Sequence, residues 1–227
     1  MPQAHKVTFS KKPKSFVTRR GRITSNQRNA LDSLWNQYIV SEVSDIKEFI
    51  SGKYTLLDIG FGAGETLISL AESRKDFRVL GAEVYLSGIG SVLSKADNLK
   101  LKNIRIVNED AEDLLRQKIP DHSIDVVLMF YPDPWPKRKH HKRRLIKKEF
   151  IKLLNSKLKT GGIFYFKTDW KDYFNEVSCL FKEDSDWKEL SLQELGEHLI
   201  NMPSTSFEKK AIKAKRILNT KIVEKVN

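Results

Sequence analysis

Five short apolar runs, Tyr54–Ile59, Phe77–Ala82, Ile104–Val107, Ile124–Phe130 and Ile163–Lys167, alternate with stretches of helical spacing at Glu65–Ser73, Gly88–Asn98, Ala111–Gln117 and Lys147–Leu158. Runs this short and this apolar are strands buried on both faces. Strands alternating with helices form a parallel sheet, because each crossover must pass over one of its faces. The pattern predicts an α/β fold with a mostly parallel, doubly wound sheet and helices on both faces. Before it, Leu31, Leu34, Trp35, Tyr38, Ile39, Val43, Ile46 and Ile50 recur at helical spacing and predict one or two packed helices. After it, Lys159-Thr160-Gly161-Gly162 reads as a helix stop and Tyr173–Phe181 as a helix. Trp187–Leu192 and Lys215–Ile222 read as edge strands, with Met202–Glu208 as a loop between them.

A chain of 227 residues fits one domain with an appended segment. That segment is residues 1–30, and the domain is 31–227. No acidic residue precedes Asp32, whereas Lys6, Lys11, Lys12, Lys14, Arg19, Arg20, Arg22 and Arg28 do, with few apolar residues among them. Such a stretch cannot bury enough to fold alone and is expected to stay flexible until it meets a partner. A mitochondrial transit peptide has a similar composition, but the segment lacks a clear apolar helical face. The net charge of +12 points to a polyanion, since each neutralised phosphate releases condensed counterions. Cys179 is the sole cysteine, which excludes an intrachain disulfide and a cysteine-based zinc site and agrees with a reducing, cytoplasmic compartment. No metal is expected. No apolar run approaches membrane-spanning length and no signal-peptide core follows the start, so no membrane partner is expected.

The first strand closes on Asp58-Ile59-Gly60-Phe61-Gly62-Ala63-Gly64. Glycines here let the chain turn tightly and a ligand approach the backbone. The spacing is neither that of a dinucleotide loop nor that of a phosphate-binding loop. Asp58 would repel a pyrophosphate but suits the cationic amino-acid end of S-adenosylmethionine. Glu83 ends the second strand, where a carboxylate can accept both ribose hydroxyls. Asp110 follows the third, where it can accept an adenine amino group. Each acid taken singly also reads as a helix cap. Three at successive strand ends behind a glycine loop favour a cofactor crevice.

The fourth strand runs into Tyr131-Pro132-Asp133-Pro134-Trp135, followed by the cationic run Lys137–Arg144. The prolines fix φ and keep the turn from becoming a helix. Asp133 can hold a base by accepting N–H hydrogen bonds and can offset positive charge developing on its ring. The neighbouring cations suit a phosphate backbone. A purely structural turn with a buried Trp135, and a solvated basic face, are the plainer readings of these two features.

These motifs, with Thr168-Asp169-Trp170 and Thr205-Ser206-Phe207-Glu208, resemble the bacterial tRNA (guanine-N7-)-methyltransferase family over nearly the whole chain. Ser15-Phe16-Val17 and Arg19-Arg20-Gly21-Arg22 are similar to its N-terminal tRNA-contacting stretch. The resemblance implies a Rossmann-like class I S-adenosylmethionine-dependent methyltransferase that modifies N7 of guanosine in the tRNA variable loop. It implies cofactor contacts from Asp58, Gly60, Gly62, Glu83, Asp110, Ala111 and Asp133, with Asp133 also catalytic. It implies guanosine contacts from Lys137, Asp169, Thr205, Ser206, Phe207 and Glu208. Contacts to tRNA are implied for Lys139, His140, His141, Lys142, Arg143, Arg144, Arg19, Arg20 and Arg22. Asp169 and Glu208 suit the guanine Watson–Crick edge, whose N1–H and N2 amino group both need acceptors. Asp58 stands where many members carry Glu, and Lys139 where Arg is common. The alternatives are a methyltransferase acting on another base and a non-catalytic tRNA-binding module. The chain is expected to work as a monomer or homodimer, with no obligatory protein partner.

Overall fold

A computed structural model describes residues 15–16 and 22–227. In chain order the elements are α1 (Ser25–Tyr38), α2 (Val43–Ile50), β1 (Thr55–Ile59), α3 (Glu65–Ser73), β2 (Arg78–Ala82), α4 (Leu86–Asn98), β3 (Ile104–Val107), α5 (Ala111–Gln117) and β4 (Ile124–Phe130). A 3-10 turn at Arg138–Arg143 leads to α6 (Lys148–Lys157), β5 (Leu158–Thr168), α7 (Lys171–Lys182) and β6 (Trp187–Glu189). A second 3-10 turn, Leu192–Glu194, precedes α8 (Glu197–Ile200), α9 (Ser206–Lys213) and β7 (Asn219–Lys225).

The strands form one sheet in the order β3-β2-β1-β4-β5-β7-β6. β1 to β5 run parallel, and β7 pairs antiparallel with both β5 and β6. Alternate residues of each strand feed opposite faces. Leu56, Val126, Leu128, Tyr165 and Ile222 pack with Leu67, Leu70, Ile89, Val92 and Leu93 of α3 and α4, and with Ala30 and Tyr38 of α1. Leu57, Val127, Met129, Phe164, Phe166 and Val223 pack with Ile46, Leu114, Phe150, Leu154, Tyr173 and Phe181 on the other side. Each such buried Leu, Ile or Phe contributes about 1.5–3 kcal/mol of transfer free energy. The predicted doubly wound sheet is the one observed. Strand order reverses between β1 and β4, so the crevice at their carboxyl ends is the place where such sheets bind ligands.

Several local expectations change. α1 begins at Ser25, inside the stretch set apart as residues 1–30, because Thr24 and Gln27 form a capping box (Gln27 N–H to Thr24 Oγ1 3.3 Å, Thr24 N–H to Gln27 Oε1 2.9 Å) and Ala30 is already buried. The helix stops ahead of Lys159–Gly162 as expected, but these residues are strand rather than a turn. α6 ends at Lys157, and these residues belong to β5, whose pairing with β4 shifts register between Ile124 and Val126. β7 starts at Asn219 and lies inside the sheet, leaving β6 as the edge on that side. Residues 206–208 are not loop but the first turn of α9, which Thr205 and Glu208 start with a second capping box.

Candidate active site at the switch point

Gly60 and Gly62 adopt φ of +71° and +56°, the left-handed region that a side chain disfavours, and among the described residues nothing beyond the chain neighbours lies within 4 Å of where a Cβ would stand. The open side of this loop borders a cavity of about 230 Å³ lined by Gly60, Gly62, Glu83, Ala111, Tyr131 and Asp133, among others. An adjoining cleft of about 650 Å³ shares Glu109 with it and takes in Asp110 and Asp113.

Glu83 is pinned from three sides. Val84 and Tyr85 donate their N–H groups to Oε1 at 2.7 and 3.0 Å, and Gly62 donates to Oε2 at 3.0 Å. Burial still outweighs these donors and raises its pKa, with the Asp133 carboxylate adding to the rise. Asp58 does not line the cavity. It is 3% exposed within β1, and burial pushes its carboxyl up to about 8, with Glu83 as the second cause. Asp110 caps α5 by accepting from Glu112 N–H at 2.9 Å and Asp113 N–H at 3.4 Å. Its Oδ2 faces the Ser15 hydroxyl at 3.5 Å. Cap and site are thus one residue, with the helix using one carboxylate oxygen.

Asp133, which lines the same cavity, stands exposed on the turn that leaves β4. Tyr131 and Trp135, on either side of Pro132-Asp133-Pro134, have φ of +54° and +45°. Trp135 is buried, and its Nε1 donates to the Ser15 carbonyl at 2.9 Å. Ser15 and Phe16, of the stretch similar to a tRNA-contacting one, line the cavity. Arg19 and Arg20 lie outside the described residues, and Arg22 is exposed ahead of α1.

The second group gathers around Tyr131. Its N–H donates to the Lys167 carbonyl at 2.8 Å, and its ring lies 4.8 Å from that of Phe207. Burial and the Glu208 and Asp169 carboxylates hold its phenol above the usual range. Lys167 Nζ reaches Glu208 Oε1 at 3.4 Å. Asp169 is paired with Arg216, whose guanidinium sits 5.3 Å over the Phe207 ring. Ser206 bonds Glu65 at the start of α3. Asp169, Thr205, Ser206, Phe207 and Glu208 therefore meet beside the Asp133 turn. Lys167 and Arg216 escaped the sequence reading, because nothing in a strand interior or after a helix end marks a cation as facing this group.

The cationic run divides. Lys137, Lys139 and Lys142 are exposed. Arg143 lies 4.6 Å over the Trp135 ring and His140 meets it edge-on at 5.8 Å. Partial desolvation and the surrounding cations hold His140 below its ordinary pKa. His141 turns toward Asp172, 3.9 Å away. Arg144 contradicts its expected role: it is 1% exposed and directed inward to Pro134, Asp172 and Glu176, so its charge is not presented to a phosphate. Among the described residues no group of three or more His, Cys, Asp or Glu is arranged to hold a metal, and no helix is long and apolar enough to cross a membrane.

This sheet order is that of the class I methyltransferase fold. The solved 16S rRNA methyltransferase KamB has the same fold, with a TM-score of 0.59 at 15% identity over 83% of this chain and 95% of its own. A family model described as "Putative methyltransferase" matches residues 52–220. The tRNA (guanine-N(7)-)-methyltransferase of Shewanella amazonensis is 40% identical over 73% of this chain and 71% of its own length. That of Nitrosococcus oceani is 38% identical over 86% and 83%. The chain belongs to the tRNA (guanine-N7-)-methyltransferase family.

Proposed function

We propose that this protein transfers the methyl group of S-adenosylmethionine to N7 of a guanosine in the variable loop of tRNA, in the cytoplasm. The observation that carries the reading is the cavity that Glu83, the open glycine loop and Asp133 line together, with Tyr131 of the same lining held by Asp169 and Glu208. The residues fit the cofactor. Gly60 and Gly62 leave room for a ligand, Glu83 retains acceptor capacity for ribose hydroxyls, and Asp110 keeps Oδ2 on the cleft side. Asp58, buried beside Glu83, suits a cationic ligand group that lets it ionise.

S-Adenosylmethionine supplies an electrophilic methyl group when bound. N7 of guanine carries a lone pair and no proton, so the protein's task is placement rather than proton removal. Asp133 orients the ring and offsets the positive charge that methylation leaves on it. Asp169 and Glu208 accept the N1–H and N2 donors, and Arg216 must leave Asp169 for the base to bond there. Phe207 offers a π-face, and Lys137 a charge at the rim. Lys139, His140, Lys142 and Arg143 contact tRNA phosphates, as does the exposed Arg22.

Nucleoside mass spectrometry of unmodified tRNA incubated with protein and S-adenosylmethionine tests this. New 7-methylguanosine, lost in Asp133→Ala, is the expected result. Methylation of another nucleoside overturns the target, and turnover near the parent rate in Asp133→Ala overturns the role of that residue.

A further inference from the structure

The turn that carries Asp133 is strained, and the backbone offers few ways to hold it. Tyr131 and Trp135 both sit at positive φ, a conformation that L-residues disfavour because Cβ crowds the following carbonyl oxygen. Tyr131 is tied down by its N–H to Lys167 and by the Phe207 ring. Trp135 is tied down by burial and by the Ser15 carbonyl. Between them Pro132 and Pro134 have no N–H, so Asp133 carries the one main-chain donor of these three residues. What remains on Pro134 is its carbonyl, and that carbonyl accepts from Arg144 Nε at 3.0 Å.

Arg144 is itself held on its other edge. Nη2 donates to Asp172 Oδ2 at 2.7 Å, Nη1 pairs with Glu176, and the guanidinium lies 4.9 Å over the Tyr173 ring. All of these partners are on α7, which packs into the core through Tyr173, Val177 and Phe181. A planar, permanently charged fork is the group that bonds a carbonyl and two carboxylates at once. The result is a rigid strut from α7 to the residue after Asp133.

We propose that Arg144 is a positioning residue for methyl transfer: through the Pro134 carbonyl it sets where Asp133 stands, and Asp172 and Glu176 act with it from α7. The proposal rests on the catalytic reading of Asp133.

The test is the Asp172→Asn/Glu176→Gln pair, which leaves Arg144 and the cationic run intact. A positioning role predicts that kcat falls about tenfold, since small misplacements of a catalytic group carry penalties of this size or more. The tRNA Kd and its salt dependence stay within about twofold. A phosphate-binding role for Arg144 predicts the opposite: freed from its acids, the guanidinium would tighten tRNA binding and steepen its salt dependence with kcat maintained. In the Asp133→Asn background, whose residual turnover is read by single-turnover mass spectrometry, the same pair should cost less than about twofold, because both changes act through one carboxylate. An unchanged kcat, tighter and more salt-dependent tRNA binding, or the full loss repeated in that background overturns the proposal. Parent-like turnover in Asp133→Asn alone overturns the catalytic reading instead. Arg144→Lys, which keeps the charge but not the fork, should lose kcat in the same way.

Discussion

Asp58→Asn should make the ligand-free protein more stable while removing its function. The carboxyl is 3% exposed in β1, and its pKa is pushed from 3.8 up to about 8 by burial and by Glu83. At about 1.4 kcal/mol per unit, this shift bounds the penalty on the ionised form at the order of 5 kcal/mol. Relaxation and water in the crevice reduce it, and a gain of about 1–3 kcal/mol is expected for the isosteric amide at alkaline pH. The sign follows from proton uptake. Between pH 3.8 and about 8 the native protein keeps a proton that the unfolded chain has released, so Asp58 lowers stability with each rise in pH across that window and by a constant amount above it. The variant lacks this slope. Thermal unfolding of both proteins in matched salt should show a small difference near about pH 4. At about pH 8.5 the gain should be about 2–10 °C for a chain of this size. Calorimetric titration with S-adenosylmethionine should show binding weakened at least about tenfold in the variant, as expected when a cationic ligand group loses the buried carboxylate whose ionisation it supports. A variant less stable than the parent at every pH, or a gain independent of pH, would refute the argument that a buried carboxylate is retained for its ligand.

Three further outcomes follow from the geometry. Glu208→Gln preserves the N3 acceptor of the α9 capping box, so stability should hold while kcat/KM for tRNA falls about tenfold to a hundredfold from a lost guanine contact; an unchanged kcat/KM removes Glu208 from base recognition. Lys142→Ala with Arg143→Ala should lower the slope of log K against log salt by about one per lost phosphate contact, and an unchanged slope means the pair does not touch tRNA. Lys215 holds φ of +55° just after α9, so Lys215→Gly should stabilise the protein by about 0.5–1 kcal/mol, read by urea unfolding, with a loss of stability counting against strain at that position.

The local pattern made much of this protein legible. Strand and helix periodicity reached β1 to β4, α3 and α5 almost residue for residue, because those elements are short, apolar and bounded by strong turn signals, whereas only the second half of β5 was read as strand. The glycine loop, Glu83 and Asp133 were legible as well, since strand order places consecutive strand ends on one edge of such a sheet. The last third was harder. β7 is inserted between β5 and β6 by pairing with β5 residues more than fifty positions away and with β6 residues more than thirty away, and nothing in its own sequence distinguishes an inner strand from an edge.

Residue type and spacing therefore determined the fold class, the crevice and the acids that border it. Tertiary structure alone decided which way individual side chains point. It turned Arg144 out of a cationic run and into α7, buried Asp58 behind the cavity rather than along it, and set Arg216 against Asp169. The reason is physical: periodicity records what a segment must bury, whereas the direction of one charged side chain depends on a turn's φ and on partners supplied by distant parts of the chain.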